Sequence, residues 1–273
     1  YRVAAIIADG AMTGGLAFEA INNAGHLGRQ LTVILNDNEM SISPNVGAIS
    51  KYFTRLISNP TYNRLKTEAW EITKKLPLAR GTIQSFLSRL DKSIKNIIVP
   101  GMLFEEMGFR YFGPIDGHDL DELLITLDTI KDIDRPVLLH VITKKGKGMS
   151  VAEDDPVKYH GVKANGSLKK DKNNIVVPSF QDVFGHLSCE IAENRKDVVC
   201  ITAAMREGTG LVPYAKKFAD RYYDVGIAEG HAVTFSAGLA TQGIRPIVAV
   251  YSSFLQRAFD HIVHDVSIQD LPV

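Results

Sequence analysis

Two short apolar runs near the start of the chain constrain the fold most strongly. Val3–Ala8 and Leu31–Leu35 are continuously apolar, and between them lie a glycine-rich turn and the helically spaced stretch Leu16–Ala24. Continuous apolar runs of this length are typical of strands that are covered on both faces of a parallel sheet. Because strand–helix–strand connections are right-handed and join parallel strands, Asp9 and Asn38 are predicted to leave the sheet at the same edge.

The rest of the chain continues this alternation of strands and helices. A helix is predicted from Asp119, which opens a capping box, to Lys131, and a strand is predicted from Pro136 to Ile142. Residues 44–95 are polar and are predicted to be mostly helical. A second alternating unit is predicted, with helices at Ser179–Asn194, Glu229–Gln242 and Phe254–His264 and strands at Val198–Thr202, Tyr222–Val225 and Pro246–Tyr251.

This pattern predicts an α/β protein of two domains, each with a mostly parallel sheet flanked by helices. We place the first domain at residues 1–150 and the second at residues 179–273, with a linker at residues 151–178 that contains a charged stretch. A strand that begins at the first residues leads us to expect that the chain is a piece of a longer protein, incomplete at both ends.

Charge and cysteine content argue against several classes of function. The 273 residues hold 31 Lys+Arg and 31 Asp+Glu, a formal net charge of zero, which argues against binding to nucleic acid or anionic membranes through clustered cations. The apolar runs are far shorter than the roughly 20 residues that span a membrane. Cys189 and Cys200 are predicted to be buried thiols, which fits a cytoplasmic location, with a plastid-type targeting segment ahead of residue 1 as the alternative.

The strand ends carry the residue types of a metal–phosphate site. Asp9 offers a carboxylate and Asn38 an amide oxygen, and Mg²⁺ binds such hard oxygen ligands together with phosphate oxygens. Gly10 allows a phosphate to approach the backbone closely, and a helix that begins near Gly14 directs its amide groups at the anion. The alternative is a turn that uses Asp, Gly and Asn only for their backbone preferences. The residues alone leave both interpretations open.

Six motifs along the chain resemble those of one enzyme family. They are, in order, Asp9–Gly15, Ile34–Ser43, Phe112–His118, Thr143–Gly148, Asp224–Glu229 and Tyr251–Arg257. Together they resemble the 1-deoxy-D-xylulose-5-phosphate synthase family of transketolase-like thiamine diphosphate enzymes, and the match runs over essentially the whole chain. The resemblance implies two thiamine diphosphate-binding domains, a diphosphate-binding one followed by a pyrimidine-binding one.

The resemblance also implies roles for individual residues. Asp9, Asn38 and the main-chain carbonyl of Met40 would hold Mg²⁺. The cofactor contacts would come from Gly10, Ala11, Asn38, Lys145, Glu229, Tyr251 and Phe254, with Met149 where family members commonly have an aromatic residue. The substrates would face His160, Tyr251 and Arg257, and the catalytic residues would be Glu229 and His160.

Glu229 has a specific task in this scheme. A carboxylate bound to the ring nitrogen of the aminopyrimidine stabilises the imino tautomer, with which the cofactor deprotonates its own thiazolium carbon. Without the resemblance, Glu229 is interpreted as a first-turn glutamate that complements the helix dipole. The Lys144–Lys147 cluster is likewise either a solvated charge run or a phosphate loop. His261 and His264 are expected to lie on an exposed helical face.

The implied reaction condenses pyruvate with D-glyceraldehyde 3-phosphate to 1-deoxy-D-xylulose 5-phosphate and CO₂, and it feeds isoprenoid, thiamine and pyridoxal synthesis. The implied assembly is a homodimer in which one chain supplies both halves of each site, without nucleic acid or membrane partners. The alternatives are another transketolase-like enzyme that transfers a two-carbon unit and a non-catalytic module that binds the cofactor.

Four residues depart from the family pattern. Ala8 replaces a glycine before the motif aspartate, Met149 replaces the aromatic residue, Arg206 replaces a proline and Gly230 replaces a glutamine beside Glu229. Glycine at position 230 removes a polar neighbour and weakens the start of its helix. None of the four departures removes a predicted metal ligand or the glutamate.

Overall fold

A computed structural model describes residues 2–40, 45–57, 101–161 and 177–273 of the chain, without the side chains of residues 55–57. Tertiary contacts divide the chain into two compact units. The first contains Tyr1–Ala8, Phe18–Asp37 and Ala48–Thr143, and the second contains Asp9–Ala17, Asn38–Gly47 and Lys144–Val273. The second unit therefore includes two short segments from the first half of the chain. The predicted domains at residues 1–150 and 179–273 stay a prediction.

The first unit contains a four-stranded parallel sheet. Its strands are β1 (Ala4–Ala8), β2 (Thr32–Asp37), β3 (Arg110–Asp116) and β4 (Val137–Ile142), in the spatial order β1-β2-β4-β3. The register pairs Ala4 with Thr32 and Thr32 with Val137. The helices described in this half of the chain are α1 (Gly15–Leu27), α2 (Ala48–Ile57), α3 (Met102–Glu106) and α4 (Leu120–Ile130).

The strands differ in burial according to their place in the sheet. β4 is central, and its first five residues are all buried. β1 pairs with β2 alone among the described strands, and Ile6 on β1 is 76% exposed. The prediction that Val3–Ala8 is covered on both faces is therefore wrong for the described part of the chain, because an edge position leaves much of β1 open to solvent.

A set of buried polar side chains crosses the middle of this sheet. His140 on β4 is fully buried, and its ring is hydrogen-bonded at both nitrogens, with Nε2 2.9 Å from Asp37 Oδ2 and Nδ1 2.7 Å from the Tyr111 hydroxyl oxygen. Phe53 of α2 packs against the imidazole, with ring centroids 5.7 Å apart. The two hydrogen bonds compensate the cost of burying these polar groups.

The second unit contains a three-stranded parallel sheet. Its strands are β5 (Val198–Thr202), β6 (Tyr222–Asp224) and β7 (Arg245–Ala249), in the order β6-β5-β7, and β5 is buried along its whole length. The described helices of this unit are α5 (Ser150–Asp154), α6 (Phe180–Asn194), α7 (Val212–Lys217), α8 (Glu229–Ala240), α9 (Ser252–Leu255) and α10 (Phe259–His261). Short 3-10 helices lie at Ala11–Thr13, Ala219–Arg221 and Gln256–Ala258, and a π-helix lies at Ile262–Ser267.

The predicted α/β class with parallel sheets is confirmed, and so are most element positions. α4 begins after Asp119, whose carboxylate accepts a hydrogen bond from the Glu122 amide at 3.0 Å. α6 begins after a capping box formed by Ser179 and Asp182. Of the helical stretch predicted at residues 44–95, α2 lies within the described residues, and residues 58–95 lie outside them. No helix in the described ranges is long and apolar enough to cross a membrane.

The single helix predicted at Phe254–His264 is wrong. Residues 252–267, which we call the C-terminal helical segment, pass in turn through α, 3-10, α and π geometry. The helix is interrupted because Ala258, with φ −114° and ψ 17°, leaves the helical region of backbone space. This interruption sets which side chains of the segment face α8.

We expect removal of the His140 imidazole to destabilise the first unit. In His140→Leu the buried Asp37 carboxylate loses this donor, and the free energy of unfolding should fall by about 1–3 kcal/mol. Chemical denaturation followed by circular dichroism measures the loss. The control is His26→Leu at an exposed position of α1, which should change stability by less than about 0.5 kcal/mol. Equal losses in the two variants would contradict a role for the buried hydrogen bonds.

Candidate functional site

The loop after β1 holds Asp9 in a buried position with a defined partner. The Asp9 side chain is 2% exposed, and its Oδ2 accepts a hydrogen bond from Asn45 Nδ2 at 2.7 Å. Gly10 leads into the 3-10 turn Ala11–Thr13, and the Thr13 hydroxyl donates to the Gly10 carbonyl at 2.7 Å. The loop before α1 is therefore internally hydrogen-bonded around the predicted diphosphate-binding residues.

Asn38 and Met40 lie together on the second loop of this unit. Asn38 Oδ1 accepts a hydrogen bond from the Met40 amide at 3.1 Å, and Glu39 between them has φ 59°. This is a turn of the kind that the alternative interpretation predicts. A carbonyl oxygen has two lone pairs, so the Asn38 amide oxygen keeps one of them for a metal ion. The turn and the metal-ligand interpretations of Asn38 are compatible.

The predicted Mg²⁺ ligands are one carboxylate, one amide oxygen and one main-chain carbonyl. Within the described part of the chain, no group of three or more His, Cys, Asp or Glu side chains converges as a metal site. Of the three predicted Mg²⁺ ligands, only Asp9 is one of these four residue types, so this finding does not test the predicted site. Asp9, Asn38 and Met40 as metal ligands stay a prediction.

A concave site lies between the first loop and the segments that follow β5 and β6. Its lining includes Gly10, Thr13, Asn45, Ala204, Gly226 and Ile227. Gly226 has φ 75°, and a Cβ at this position would lie 3.3 Å from Thr13 Oγ1. Glycine is therefore required at position 226 by both its backbone conformation and the close approach of Thr13.

Asp224, the last residue of β6, ties two of these segments together. Its Oδ1 accepts hydrogen bonds from the Ala204 amide at 2.9 Å and from the Gly226 amide at 3.0 Å. Ala204 has φ 57°, which is uncommon for a residue with a side chain. The sequence marks Asp224 only as part of a motif and does not mark Asn45 as a site residue. Both roles depend on contacts between distant segments, which no local spacing marks.

Glu229 is buried at the first residue of α8. Its side chain is 2% exposed, and Arg257 Nη1 lies 2.7 Å from its Oε2 atom. Arg257 is 45% exposed, and its Nη2 lies 3.6 Å from where a Cβ on Gly14 would stand. The helix N-terminus and the guanidinium both interact favourably with the carboxylate charge. The structure thus brings together two predicted site residues, Glu229 and Arg257, beside the loop that precedes α1.

Lys145 and His160 are linked electrostatically to Asp9. Burial lowers the pKa of Lys145, and the nearby Asp9 carboxylate opposes this shift. Desolvation by the surrounding protein lowers the pKa of His160, and the Lys145 charge lowers it further. The neighbouring Lys144 instead forms an ion pair with Glu153. Lys145 therefore lies within electrostatic range of Asp9, whereas Lys144 pairs with Glu153, and the phosphate-loop interpretation of the cluster stays a prediction.

Tyr251 and Phe254 stack on each other, with ring centroids 6.1 Å apart and planes inclined by 22°. The Tyr251 hydroxyl fills a notch at Gly208, where a Cβ would lie only 1.9 Å from that oxygen. Met149 is the N-cap residue of α5 and is 53% exposed, and Ala11 is exposed in the first loop. The cofactor and substrate roles of these four residues stay predictions.

We expect Lys145 to control the titration of His160. In Lys145→Met the pKa of His160 should rise towards its ordinary value, because one of the two causes that lower it is removed. The titration of the His160 ring protons, followed by NMR, measures this shift. Lys144→Met is the matched control, because Lys144 pairs with Glu153. A shift of the same size in both variants would contradict a specific Lys145–His160 interaction.

We expect Arg257 to stabilise the fold through Glu229. Arg257→Met leaves the buried carboxylate without its cation, and the free energy of unfolding should fall by about 1–3 kcal/mol, less than for a fully buried pair because Arg257 is partly solvated. Chemical denaturation followed by circular dichroism measures the loss.

The control for this substitution is Arg245→Met. Arg245 lies 3.8 Å from Asp197 in an exposed ion pair, which contributes little stability. A loss for Arg245→Met as large as that for Arg257→Met would show that burial of Glu229 is not the cause.

Known proteins resemble this chain over its full length. A family model described as 1-deoxy-D-xylulose-5-phosphate synthase matches residues 1–143, and a model of the transketolase pyrimidine-binding domain matches residues 177–273. The 1-deoxy-D-xylulose-5-phosphate synthases of Natranaerobius thermophilus and Carboxydothermus hydrogenoformans are 52% and 51% identical to it, over 277 and 273 residues. Both comparisons cover 100% of this chain, which spans 43% and 44% of the length of these relatives.

Solved structures of transketolases are more distant. Those from Campylobacter jejuni and Leishmania mexicana are 16% and 14% identical to this chain, with TM-scores of 0.33 and 0.30. Both alignments cover 96% of this chain, and they cover 45% and 44% of the transketolase chains. The family model that matches residues 1–143 covers more than half of the 273 residues, and the curated relatives match throughout. The chain therefore belongs to the 1-deoxy-D-xylulose-5-phosphate synthase family.

Proposed function

We propose that the chain is part of an enzyme that condenses pyruvate with D-glyceraldehyde 3-phosphate to 1-deoxy-D-xylulose 5-phosphate and CO₂, with thiamine diphosphate and Mg²⁺. The observation that carries the proposal is that Glu229 is buried close to the loop that precedes α1. The segment just before Glu229 meets this loop, since a Cβ on Gly14 would lie 3.3 Å from the Ile227 carbonyl oxygen. The names of the relatives support the reaction. Because the chain spans 43% of the first relative, the activity of the whole protein is a proposal.

The residues around Asp9 have the chemistry to hold Mg²⁺ and a diphosphate. Asp9, Asn38 and the Met40 carbonyl would supply hard oxygen ligands and leave positions for phosphate oxygens. The backbone at Gly10 and Ala11 would approach the diphosphate, and the N-terminus of α1 would face its negative charge. Lys145, whose pKa is influenced by Asp9, would add a cation at the same place.

Glu229 would bind the ring nitrogen of the aminopyrimidine, and Phe254 would stack on that ring. When bound, thiamine diphosphate supplies a nucleophilic thiazolium carbon and an amino group that serves as an internal base. Glu229 would hold the proton of the ring nitrogen in a site from which water is excluded, since its side chain is 2% exposed. Met149 would lie near the cofactor with its apolar side chain.

His160, Tyr251 and Arg257 would face the substrates. Burial lowers the pKa of His160, which favours the neutral imidazole, the form that can accept a proton. The guanidinium of Arg257 is suited to the phosphate of the aldehyde substrate. The proposal includes a homodimer in the cytoplasm and a product that feeds isoprenoid, thiamine and pyridoxal synthesis.

Two substitutions separate cofactor binding from turnover. Glu229→Ala should keep the binding of Mg²⁺ and diphosphate but lower turnover by about 10²–10⁴-fold, because it removes a proton-transfer partner and not a diphosphate contact. Asp9→Ala should weaken cofactor binding by at least roughly tenfold. This is the smallest loss that usually follows when a residue supporting a metal ligand is removed, and Asp9 is predicted to be a ligand itself. Calorimetric titration measures binding, and CO₂ released from pyruvate in the presence of the aldehyde phosphate measures turnover.

Glu190→Gln on the exposed side of α6 is the control and should leave both measurements unchanged. Full turnover in Glu229→Ala would refute its catalytic role. An unaltered cofactor affinity in Asp9→Ala would refute the metal site. Transfer of a two-carbon unit from a ketose donor to the aldehyde phosphate, without release of CO₂, would favour the transketolase-like alternative.

A further inference from the structure

The C-terminal helical segment contacts the first turns of α8 through a regular series of side chains. Arg257 pairs with Glu229, and the Thr234 hydroxyl donates to Asp265 Oδ2 at 2.5 Å. His261 lies midway between Arg257 and Asp265 in the sequence, and its ring lies against Gly230. The contact between His261 and Gly230 therefore lies between the Arg257–Glu229 and Thr234–Asp265 contacts along this segment.

The imidazole of His261 occupies the space that a side chain at position 230 would take. A Cβ on Gly230 would lie 2.7 Å from Cε1, 3.0 Å from Nε2 and 3.1 Å from Nδ1 of this ring. The first distance is shorter than non-bonded carbon atoms tolerate. The ring can therefore pack in this place only because residue 230 is a glycine.

Packing holds this ring more than hydrogen bonding does. His261 Nδ1 is buried and makes no hydrogen bond within the described residues, although Asp260 Oδ1 lies 3.1 Å away. The side chain as a whole is 37% exposed, whereas that of His264 on the same segment is 79% exposed. The expectation that both histidines lie on an exposed face is therefore wrong for His261, because its ring is turned towards Gly230.

We propose that His261 is a positioning residue for Glu229. Glycine at the second position of α8 leaves the backbone beside Glu229 with more freedom than any other residue would. The ring of His261 fills the space over Gly230 and restrains this backbone, while Arg257 restrains the carboxylate itself. The inference rests on the proposed function in one respect, which is that the carboxylate binds the ring nitrogen of the aminopyrimidine.

The test compares binding of two ligands in the presence of Mg²⁺. One is thiamine diphosphate, and the other is its analogue in which the ring nitrogen that faces Glu229 is replaced by carbon. The native protein should prefer thiamine diphosphate by roughly 10–100-fold, the range of one hydrogen bond to a charged group. His261→Ala should lose most of this preference. A general loss of stability would instead weaken the binding of both ligands by the same factor. His264→Ala is the matched control and should keep the preference.

The outcomes separate the inference from the proposed function. Equal binding of both ligands by the native protein would refute the contact between Glu229 and the ring nitrogen, and the inference with it. A native protein that discriminates, together with a His261→Ala variant that discriminates equally well, would overturn the inference alone. If His261→Ala does not fold, His261→Asn serves the same test, because it removes the ring, keeps a small polar side chain and leaves Gly230 in place.

A second measurement tests the contact without a ligand. Gly230→Ala should raise the melting temperature by about 2–4 °C in the His261→Ala background, where alanine improves the helix without a clash. In the native background the same substitution should give no such rise, because it expels the ring. An identical shift in both backgrounds would show that the two residues are not coupled and would overturn the proposal.

Discussion

Burial of the Glu229 carboxylate at the start of α8 is the constraint on which the arrangement of the second unit depends. A charged group that is 2% exposed needs favourable partners, and the helix N-terminus and Arg257 supply them. Arg257 reaches Glu229 because the C-terminal helical segment lies along α8. Its guanidinium also lies beside Gly14, with Nη2 3.6 Å from where a Cβ on this glycine would stand. One buried charge thus connects α8, this segment and the loop before α1.

The loops around this charge are held by side chains that bond across the unit. Asn45 donates to the Asp9 carboxylate, and Asp224 accepts from the amides of Ala204 and Gly226. Such bonds keep loop backbone in fixed positions, which a binding site for a charged cofactor requires. The chain has no net charge, so the proposed phosphate binding at this place would rely on a few positioned groups and not on a general excess of cations.

Local signals in the sequence were sufficient for most of the helices and strands, whereas the site residues stay predictions. Apolar runs and helix caps predicted the strands and the starts of α4 and α6, because both features act over a few residues. Three features were predicted wrongly: the burial of β1, the continuity of the last helix and the exposed position of His261. Local signals did not mark them, since β1 lies at the edge of its described sheet, the backbone at Ala258 departs from helical geometry, and the His261 ring packs against Gly230.

The sequence by itself determined the α/β class, the parallel strands and the residue types at the strand ends, among them Asp9, Asn38 and Glu229. Periodicity, capping and motif spacing are written within short stretches of chain, so they can be interpreted without coordinates. Only the tertiary structure decided that Arg257 pairs with Glu229 and that the ring of His261 covers Gly230. Both contacts form because the C-terminal helical segment packs on α8. Such packing produces no periodic pattern in the sequence, so the sequence could not predict these contacts.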